Sequence, residues 1–169
     1  SFSFSISFKN VNANSTQPWD VLFSDLLFDL NQGICVFNQN STLKYSLSNT
    51  YNEVEITTIP SNIYLYFSCT YSNNLLKFYI GDSLVYSNNV VINPSSVSEI
   101  ILGNRFGNSG SQIANDNFDG LFDNLTIWDY AMVQSEIQSY ITCPPTGEEE
   151  GLVGYWNFNE SLGDTVYDI

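Results

Sequence analysis

The sequence predicts an all-β protein, a sandwich of two antiparallel sheets with one short helix near its C-terminal end. Aromatic residues make up 15% of the 169 residues, and such side chains favour the pleated surface of a sheet. Short stretches of alternating apolar and polar residues recur along the chain, separated by turn-forming Asn, Ser and Gly residues. The length is sufficient for one such domain with a sizeable core.

The predicted strands begin at the first residue. Ser1–Phe8 places Phe and Ile on one face and Ser on the other, the pattern of a strand with one face in the core. Trp19–Leu30 contains one or two strands, with a helix as the alternative. Gly81, Asp82 and Ser83 have the signature of a hairpin turn. The remaining strands are predicted within Gly33–Phe37, Leu43–Leu47, Glu53–Ile59, Ile63–Cys69, Leu76–Ile80, Leu84–Tyr86, Glu99–Leu102 and Leu121–Trp128.

A short helix follows the last of these strands. Val133, Ile137 and Ile141 have the i, i+4 spacing of one helix face. Two prolines and a run of glutamates then indicate a linker over 143–150. A new apolar stretch after it predicts one more strand, at Tyr155–Phe158.

The net charge of the chain is −14, from 18 acidic residues against four basic ones. Such a chain lacks the basic patch that nucleic-acid binding requires, and attraction to anionic membranes is disfavoured. No segment is apolar over the roughly 18 residues of a membrane helix, so membrane insertion is not expected. An acidic surface attracts cations, and calcium is the candidate. Alternatively, the charge only keeps the protein in solution.

The chain contains no histidine and three cysteines. The absence of histidine excludes Ser-His-Asp and Cys-His catalysis and histidine-ligated zinc. Cys35 and Cys69 lie in predicted strands and are either core thiols or a disulfide. Cys143 lies beside two prolines in the linker, and the odd count suggests a partner outside this chain.

Four segments, in order, resemble a known family: Ser1–Phe8, Leu76–Val85, Ile100–Asn104 and Phe118–Ile141. The last contains a glycine turn, an aspartate, an aromatic strand and a small helix with Ser-Glu-Ile. The chain resembles laminin-G-like, pentraxin-related domains of the concanavalin-A-like superfamily. The resemblance implies that the sandwich is an antiparallel jelly roll.

A fifth segment, Gly151–Glu160, resembles the start of such a domain but follows the end of one. This order suggests a tandem array in which residues 1–142 are one jelly roll that lacks its first strands. Residues 143–150 would be a linker. Residues 151–169 would be the opening strand of the next repeat, or a strand that completes the sandwich in cis or in trans. In this fold the first and last strands are neighbours, so Leu121–Trp128 would otherwise present an unpaired edge.

Four carboxylates are candidate metal ligands. Asp123 lies in an apolar strand start, where a bare carboxylate is costly and a hard cation would remove that cost. The resemblance implies a calcium near this strand together with a glutamate of the first strand, here Glu160. Asp116 and Asp119 form a second oxygen-rich cluster in the long loop before that strand. The alternative for Asp123 is an aspartate that caps a turn or accepts backbone N–H bonds.

Ligand contacts are expected from aromatic residues at strand ends and loops. Trp19, Tyr71 and Phe106 could stack on sugar rings, and Asn and Asp groups such as Asn104 could bind sugar hydroxyls. The alternative is that these aromatic residues only pack.

No catalytic constellation is present in the sequence. Glucanases of this fold use an E-x-D-x-x-E run on one strand, and Glu53 and Glu55 have no third acid to complete it. We therefore expect a non-catalytic, extracellular recognition or adhesion module at a cell or virion surface. It would bind glycans or cell-surface ligands with the help of calcium. The alternative is a structural spacer, or a polymerising unit that pairs strands with neighbouring copies of the same protein.

Overall fold

The computed structural model describes residues 1–11, 19–25, 32–47, 52–93, 99–105, 115–160 and 162–169. These residues form antiparallel strands and a single short helix. The predicted fold class, an all-β antiparallel jelly-roll sandwich with one short helix near the C-terminal end, is confirmed. The elements in chain order are β1 (Phe2–Asn10), β2 (Asp20–Ser24), β3 (Ile34–Gln39), β4 (Thr42–Leu47), β5 (Val54–Thr58), β6 (Tyr64–Ser72), β7 (Leu75–Ile80), β8 (Ser83–Asn89), β9 (Ile101–Leu102), β10 (Gly120–Trp128), α1 (Gln134–Thr142) and β11 (Leu152–Trp156).

The chain divides into two compact units, each with one sheet. The first unit comprises Ser1–Lys9, Tyr64–Val90 and Leu121–Ile169, and its sheet has the order β11-β10-β1-β6-β7-β8. The second comprises Asn10–Ile63 and Val91–Gly120, with the order β5-β4-β3-β2-β9.

Strand β1 lies inside the first sheet and is buried on both faces. Its apolar face is closed to solvent, as the alternation predicted, with Phe4, Ile6 and Phe8 each at most 1% exposed. The serine face is also buried. Ser3 Oγ donates to the Tyr130 carbonyl at 2.8 Å, and Ser5 Oγ lies 2.8 Å from Ser68 Oγ. The small hydroxyls therefore satisfy one another or the backbone beneath the segment that leads into α1.

Helix α1 packs on this sheet through one side chain of the predicted i, i+4 set. Ile137 is fully buried in a cluster with Tyr79, Trp128 and Met132. Val133 is exposed because it precedes the first helical turn, where its N–H donates to Glu136 Oε2 at 2.8 Å. The Glu136 carboxylate thereby satisfies a backbone N–H that has no partner within the helix.

The last strand pairs with the closing strand of the same chain. β11 runs antiparallel to β10, with Leu125 opposite Trp156 and Trp128 opposite Leu152. The strand begins three residues earlier than predicted. The division of the chain into residues 1–142, 143–150 and 151–169 as parts of a repeat array stays a prediction.

The second sheet contains the segment for which a helix was the alternative. Its described part, β2, is a strand and is buried throughout. Residues 26–30 of that segment lie outside the described residues. The β3–β4 hairpin turns at Asn40 and Ser41, whose φ angles are 51° and 62°. Positive φ at both central residues is the geometry of a tight hairpin turn, and asparagine accepts it readily.

All three cysteines are free. Cys35 and Cys69 are buried thiols, each in its own sheet, so the core-thiol alternative holds. Burial raises the pKa of Cys35 to about 12, which makes it a poor nucleophile. Cys143 is exposed after α1. Within the described residues, no helix has the length and apolar character needed to cross a membrane.

Candidate ligand-binding cleft

A cleft of about 480 Å³ lies in the first unit. Strands β1, β6, β7 and β10 and the C-terminal end of α1 contribute to its walls. Tyr64, Tyr66 and Asp123 are among its lining side chains. This volume is within the roughly 300–1,000 Å³ of small-ligand sites.

The two tyrosines lie on one face of β6 because side chains two residues apart in a strand point the same way. Pairing with β1 places Ser7 beside Tyr66 and Lys9 beside Tyr64. Tyr66 forms a side-chain hydrogen bond with Ser5 of the neighbouring strand. Burial raises the pKa of Tyr66, and this hydrogen bond offsets part of the rise. Tyr64 is 52% exposed, so its ring is the aromatic surface that a ligand can reach.

A glycine turn forms another part of the wall. Gly81 donates its N–H to the Tyr66 carbonyl at 2.7 Å. Its φ of 59° lies in the left-handed region, where glycine carries no steric penalty. The β7–β8 hairpin is therefore joined directly to the strand that carries both tyrosines.

Asp123 supplies the carboxylate of the cleft. It lies on β10 and is half-buried. The charge of Asp123 acts on Tyr155 of β11. Burial raises the pKa of Tyr155, and the negative charge of Asp123 raises it further. A carboxylate accepts hydrogen bonds from hydroxyl groups, and an exposed tyrosine offers an apolar face. Together they can hold a polyhydroxylated ring.

The predicted metal ligands do not gather into one cluster. Within the described part of the chain, which includes all four, no three acidic, Cys or His side chains are placed to hold a metal ion. Asp123 lines the cleft, and Glu160 Oε1 accepts the Tyr167 N–H at 2.8 Å. Asp119 is exposed, and its carbonyl accepts the Val11 N–H at 3.0 Å. Calcium binding at any of them stays a prediction.

Asp116 has a cation of the protein itself as its partner. Its Oδ2 lies 2.6 Å from Arg105 Nε, and its side chain is 1% exposed. Burial raises the pKa of Asp116, and the Arg105 guanidinium offsets part of that rise. The ion pair places a positive charge of the protein beside one of the predicted metal ligands.

Trp19 is packed within the fold, which was the alternative to a ligand contact for this residue. Trp19 is 5% exposed. Its ring stacks on Phe37 with 4.2 Å between centroids, and the Arg105 guanidinium carbon lies 4.1 Å from its ring centre. Its Nε1 donates to Glu53 Oε1 at 2.8 Å. Neighbours that are distant in the chain thus cover the indole.

The other predicted ligand contacts are engaged within the fold or lie outside the described residues. Asn104 is 7% exposed, donates to Asn117 Oδ1 at 2.7 Å and accepts the Arg105 N–H at 2.7 Å. Tyr71 is half-buried, and its hydroxyl donates to Asn74 Oδ1 at 3.1 Å. Phe106 lies outside the described residues.

Sequence reasoning placed Asp123 in the cleft's strand but did not assign Tyr64 and Tyr66 to a site. The signal was present, because tyrosines alternate with apolar residues in β6 and mark an aromatic second face. Sequence reasoning also missed Arg105, which brings Trp19 and Asp116 together. No local pattern marks a residue whose partners are distant in the chain.

Comparison with known proteins identifies the fold. No curated protein sequence matches the chain. A candidate carbohydrate-binding protein from Bacteroides ovatus ATCC 8483 superposes with a TM-score of 0.75 at 13% identity, covering 99% of this chain and 48% of that one. The chain therefore spans about half the length of that protein.

Two further solved structures share the fold. The heptameric SAP-like pentraxin from Limulus polyphemus has a TM-score of 0.62 at 13% identity, covering 99% of this chain and 79% of its own. The Ruminococcus gnavus IT-sialidase CBM40 bound to α2,3-sialyllactose has a TM-score of 0.61 at 13% identity, covering 82% and 80%.

The sequence itself gives the family. Residues 3–138 match Laminin_G_3, described as the concanavalin A-like lectin/glucanases superfamily. The match covers well over half of the chain and includes every strand from β1 to β10. The chain belongs to the Laminin_G_3 family of the concanavalin A-like lectin/glucanases superfamily.

Proposed function

We propose that this protein is a carbohydrate-binding module whose ligand is a glycan held in the cleft of the first unit. The observation that carries the proposal is the half-exposed Tyr64 ring in one cleft with the Asp123 carboxylate. The apolar face of a sugar ring would stack on Tyr64, and its hydroxyls would donate to Asp123. An aromatic surface with a few convergent polar groups is the usual composition of a small-ligand site.

Two similar structures support this proposal because their descriptions name carbohydrate ligands. One similar structure is a candidate carbohydrate-binding protein, and another holds sialyllactose. One fold hosts many functions, so the cleft rather than the fold carries the argument.

We propose a role in binding without catalysis. Glycoside hydrolysis generally requires two carboxyl groups across the scissile bond. Asp123 is the one carboxylate among the described residues that line the cleft. The cleft can orient a sugar, but these residues do not supply an acid–base pair.

We also propose that calcium assists glycan binding and that the protein acts outside the cell. The net charge of −14 favours association with cations, and Asp123 is the best-placed ligand because it forms no ion pair among the described residues. A module of this kind would act outside the cell or at a cell or virion surface, where glycans are displayed.

A glycan array tests the proposed function. The wild-type protein should be retained by at least one class of glycan, and Tyr64→Ala should lose about two- to twelvefold in affinity, the effect of deleting one stacking contact of roughly 0.5–1.5 kcal/mol. Tyr167→Ala is the matched control, because Tyr167 is 66% exposed and lies outside the cleft. Retention of Tyr64→Ala equal to wild type would remove the cleft from consideration.

A second candidate function is structural, as a spacer or polymerising unit. One observation favours it: β10 is paired by β11, and β11 lies beyond residues 3–138 that match the family. A strand from outside the matched domain could equally be donated by a neighbouring copy. Absence of glycan binding together with concentration-dependent oligomers in solution would favour this function over the first.

A further inference from the structure

We propose that the cleft is selective for neutral glycans and that Asp123 excludes acidic ones. This inference rests on the proposed glycan binding, applies to the cleft without bound calcium, and adds a ligand class to that binding. Asp123 is the one group among the described lining residues that carries a charge at neutral pH, since the rest are serine, glycine, tyrosine and aliphatic residues.

The position of Asp123 makes its charge effective. The side chain is half-buried on β10, in a cleft whose lining also includes the apolar side chains of Ile80 and Ile141. Charges at the edge of apolar surface are screened less than charges in open water. A carboxylate or sulfate on a bound sugar would therefore meet a like charge that solvent only partly shields.

The lining itself offers no compensating charge, because its described residues include no Lys or Arg. Lys9 lies beside the cleft rather than in its lining, with its Nζ 6.0 Å from the Tyr64 ring centre. The net charge of −14 over the whole chain adds a long-range repulsion toward any anionic ligand.

The expected discrimination is measurable. One like-charge contact at about 4 Å lowers affinity by about fivefold at the dielectric of water and by more at a protein surface. Specificity of this kind comes from repulsion of the wrong ligand rather than from added attraction to the right one. An unmodified hydroxyl, in contrast, donates a hydrogen bond to the same carboxylate.

The test uses glycan pairs that share one neutral core and differ by a sialic acid or a sulfate, with chelator present so that no calcium neutralises Asp123. Wild-type protein should bind the neutral member of each pair at least about fivefold more tightly. Asp123→Asn keeps an acceptor oxygen and removes the charge, so this preference should fall toward unity, mostly through a gain for the acidic member. Asp164→Asn makes the same change in net charge at an exposed position outside the cleft and should retain the wild-type preference.

Salt provides an independent readout. The preference of wild-type protein should weaken as ionic strength rises, because screening acts on the repulsion and not on the stacking. Equal or tighter binding of acidic glycans by the wild type, or an unchanged ratio in Asp123→Asn, would overturn the inference while leaving glycan binding intact. Retention of no glycan by wild-type protein would instead overturn the proposed function, and the inference with it.

Discussion

Arg105 Nε lies 2.6 Å from Asp116 Oδ2, in a pair whose side chains are 10% and 1% exposed. The guanidinium also lies over the Trp19 ring, with 4.1 Å from its carbon to the ring centre. One cation therefore links the residue before β2 to the segment before β10 within the second unit. Its partners are a carboxylate that needs a counter-charge and an aromatic face that attracts one.

Removing either partner of this pair should destabilise the protein strongly, because the other charge would remain buried without compensation. We expect Arg105→Met or Asp116→Leu alone to lower the free energy of unfolding by about 3–5 kcal/mol. The double variant should be less destabilised than the sum of the two. Urea unfolding of the three variants measures these changes.

Lys44→Met is the matched control for this prediction. Lys44 Nζ lies 3.2 Å from Glu53 Oε2, and the two side chains are 15% and 27% exposed. Loss of this more accessible pair should cost about 1 kcal/mol or less. Additive effects in the double variant would show that Arg105 and Asp116 do not stabilise each other.

Asp25 should make stability depend on pH. Burial raises its pKa, and the hydrogen bond from the Ile34 N–H at 2.6 Å offsets part of the rise. The folded state then holds the proton more tightly than the unfolded state, whose pKa is near 3.8. The contribution of Asp25 to stability is therefore fully present below about pH 3.8, the pKa in the unfolded state. It is lost as pH rises through the higher pKa that Asp25 has in the folded state.

Asp25→Asn retains the acceptor for Ile34 and removes the titration. Urea unfolding at about pH 7 and about pH 4 should show that wild type gains stability relative to Asp25→Asn on acidification. Exposed Asp164→Asn serves as the control for a change of one charge. A stability difference between wild type and Asp25→Asn that is the same at both pH values would contradict the prediction.

Strand β11 should contribute substantially to the stability of the first unit. Tyr155 is 6% exposed, and its hydroxyl donates to Asn124 Oδ1 at 2.8 Å. Deletion of residues 151–169 removes this burial and leaves the edge of β10 unpaired. Burial of one large side chain contributes about 1.5–3 kcal/mol, so the melting temperature should fall by roughly 5–10 °C.

An unpaired β10 edge should also promote self-association. Size-exclusion chromatography of the deletion variant should therefore reveal oligomers that wild-type protein lacks. Val153→Ser is the control, because Val153 is 60% exposed on the same strand and should leave both properties unchanged. A deletion variant with wild-type melting temperature and oligomeric state would mean that β11 does not complete the sheet in solution.

Calcium should raise the melting temperature if Asp123 takes part in a calcium site. A ligand that binds only the folded state stabilises it by about 2.7 kcal/mol at one hundred times its dissociation constant. Thermal unfolding with chelator and with millimolar calcium measures the effect, which Asp123→Asn should abolish and Asp164→Asn should retain. Identical melting curves with and without calcium would rule out a calcium site.

The strands were the most predictable part of this protein. The alternation in Ser1–Phe8 appears as β1, and the Gly81 turn joins β7 to β8 as expected. Both signals are local, because the side-chain period of a strand and the φ preference of glycine depend on adjacent residues. A helix does follow β10 as predicted, but it begins one residue after Val133. Val133 is therefore its N-cap rather than part of its buried face.

The candidate site was less predictable. Asp123 was singled out because a carboxylate in an apolar strand is unusual, and it does line the cleft. The tyrosine that completes the site, Tyr64, comes from β6, far from Asp123 in sequence. Trp19 was a candidate ligand contact with packing as the alternative, and Phe37 and Arg105 cover its ring.

The sequence by itself determined the all-β class, the positions of most strands and the family of the chain, because period-2 alternation, turn residues and motif order are properties of short segments. Only the tertiary structure decided that β11 pairs with β10, that Arg105 forms an ion pair with Asp116, and that Tyr64 and Asp123 share a cleft. These relationships join residues that are distant in the chain. They depend on strand order and register, which the whole sheet sets rather than any one segment.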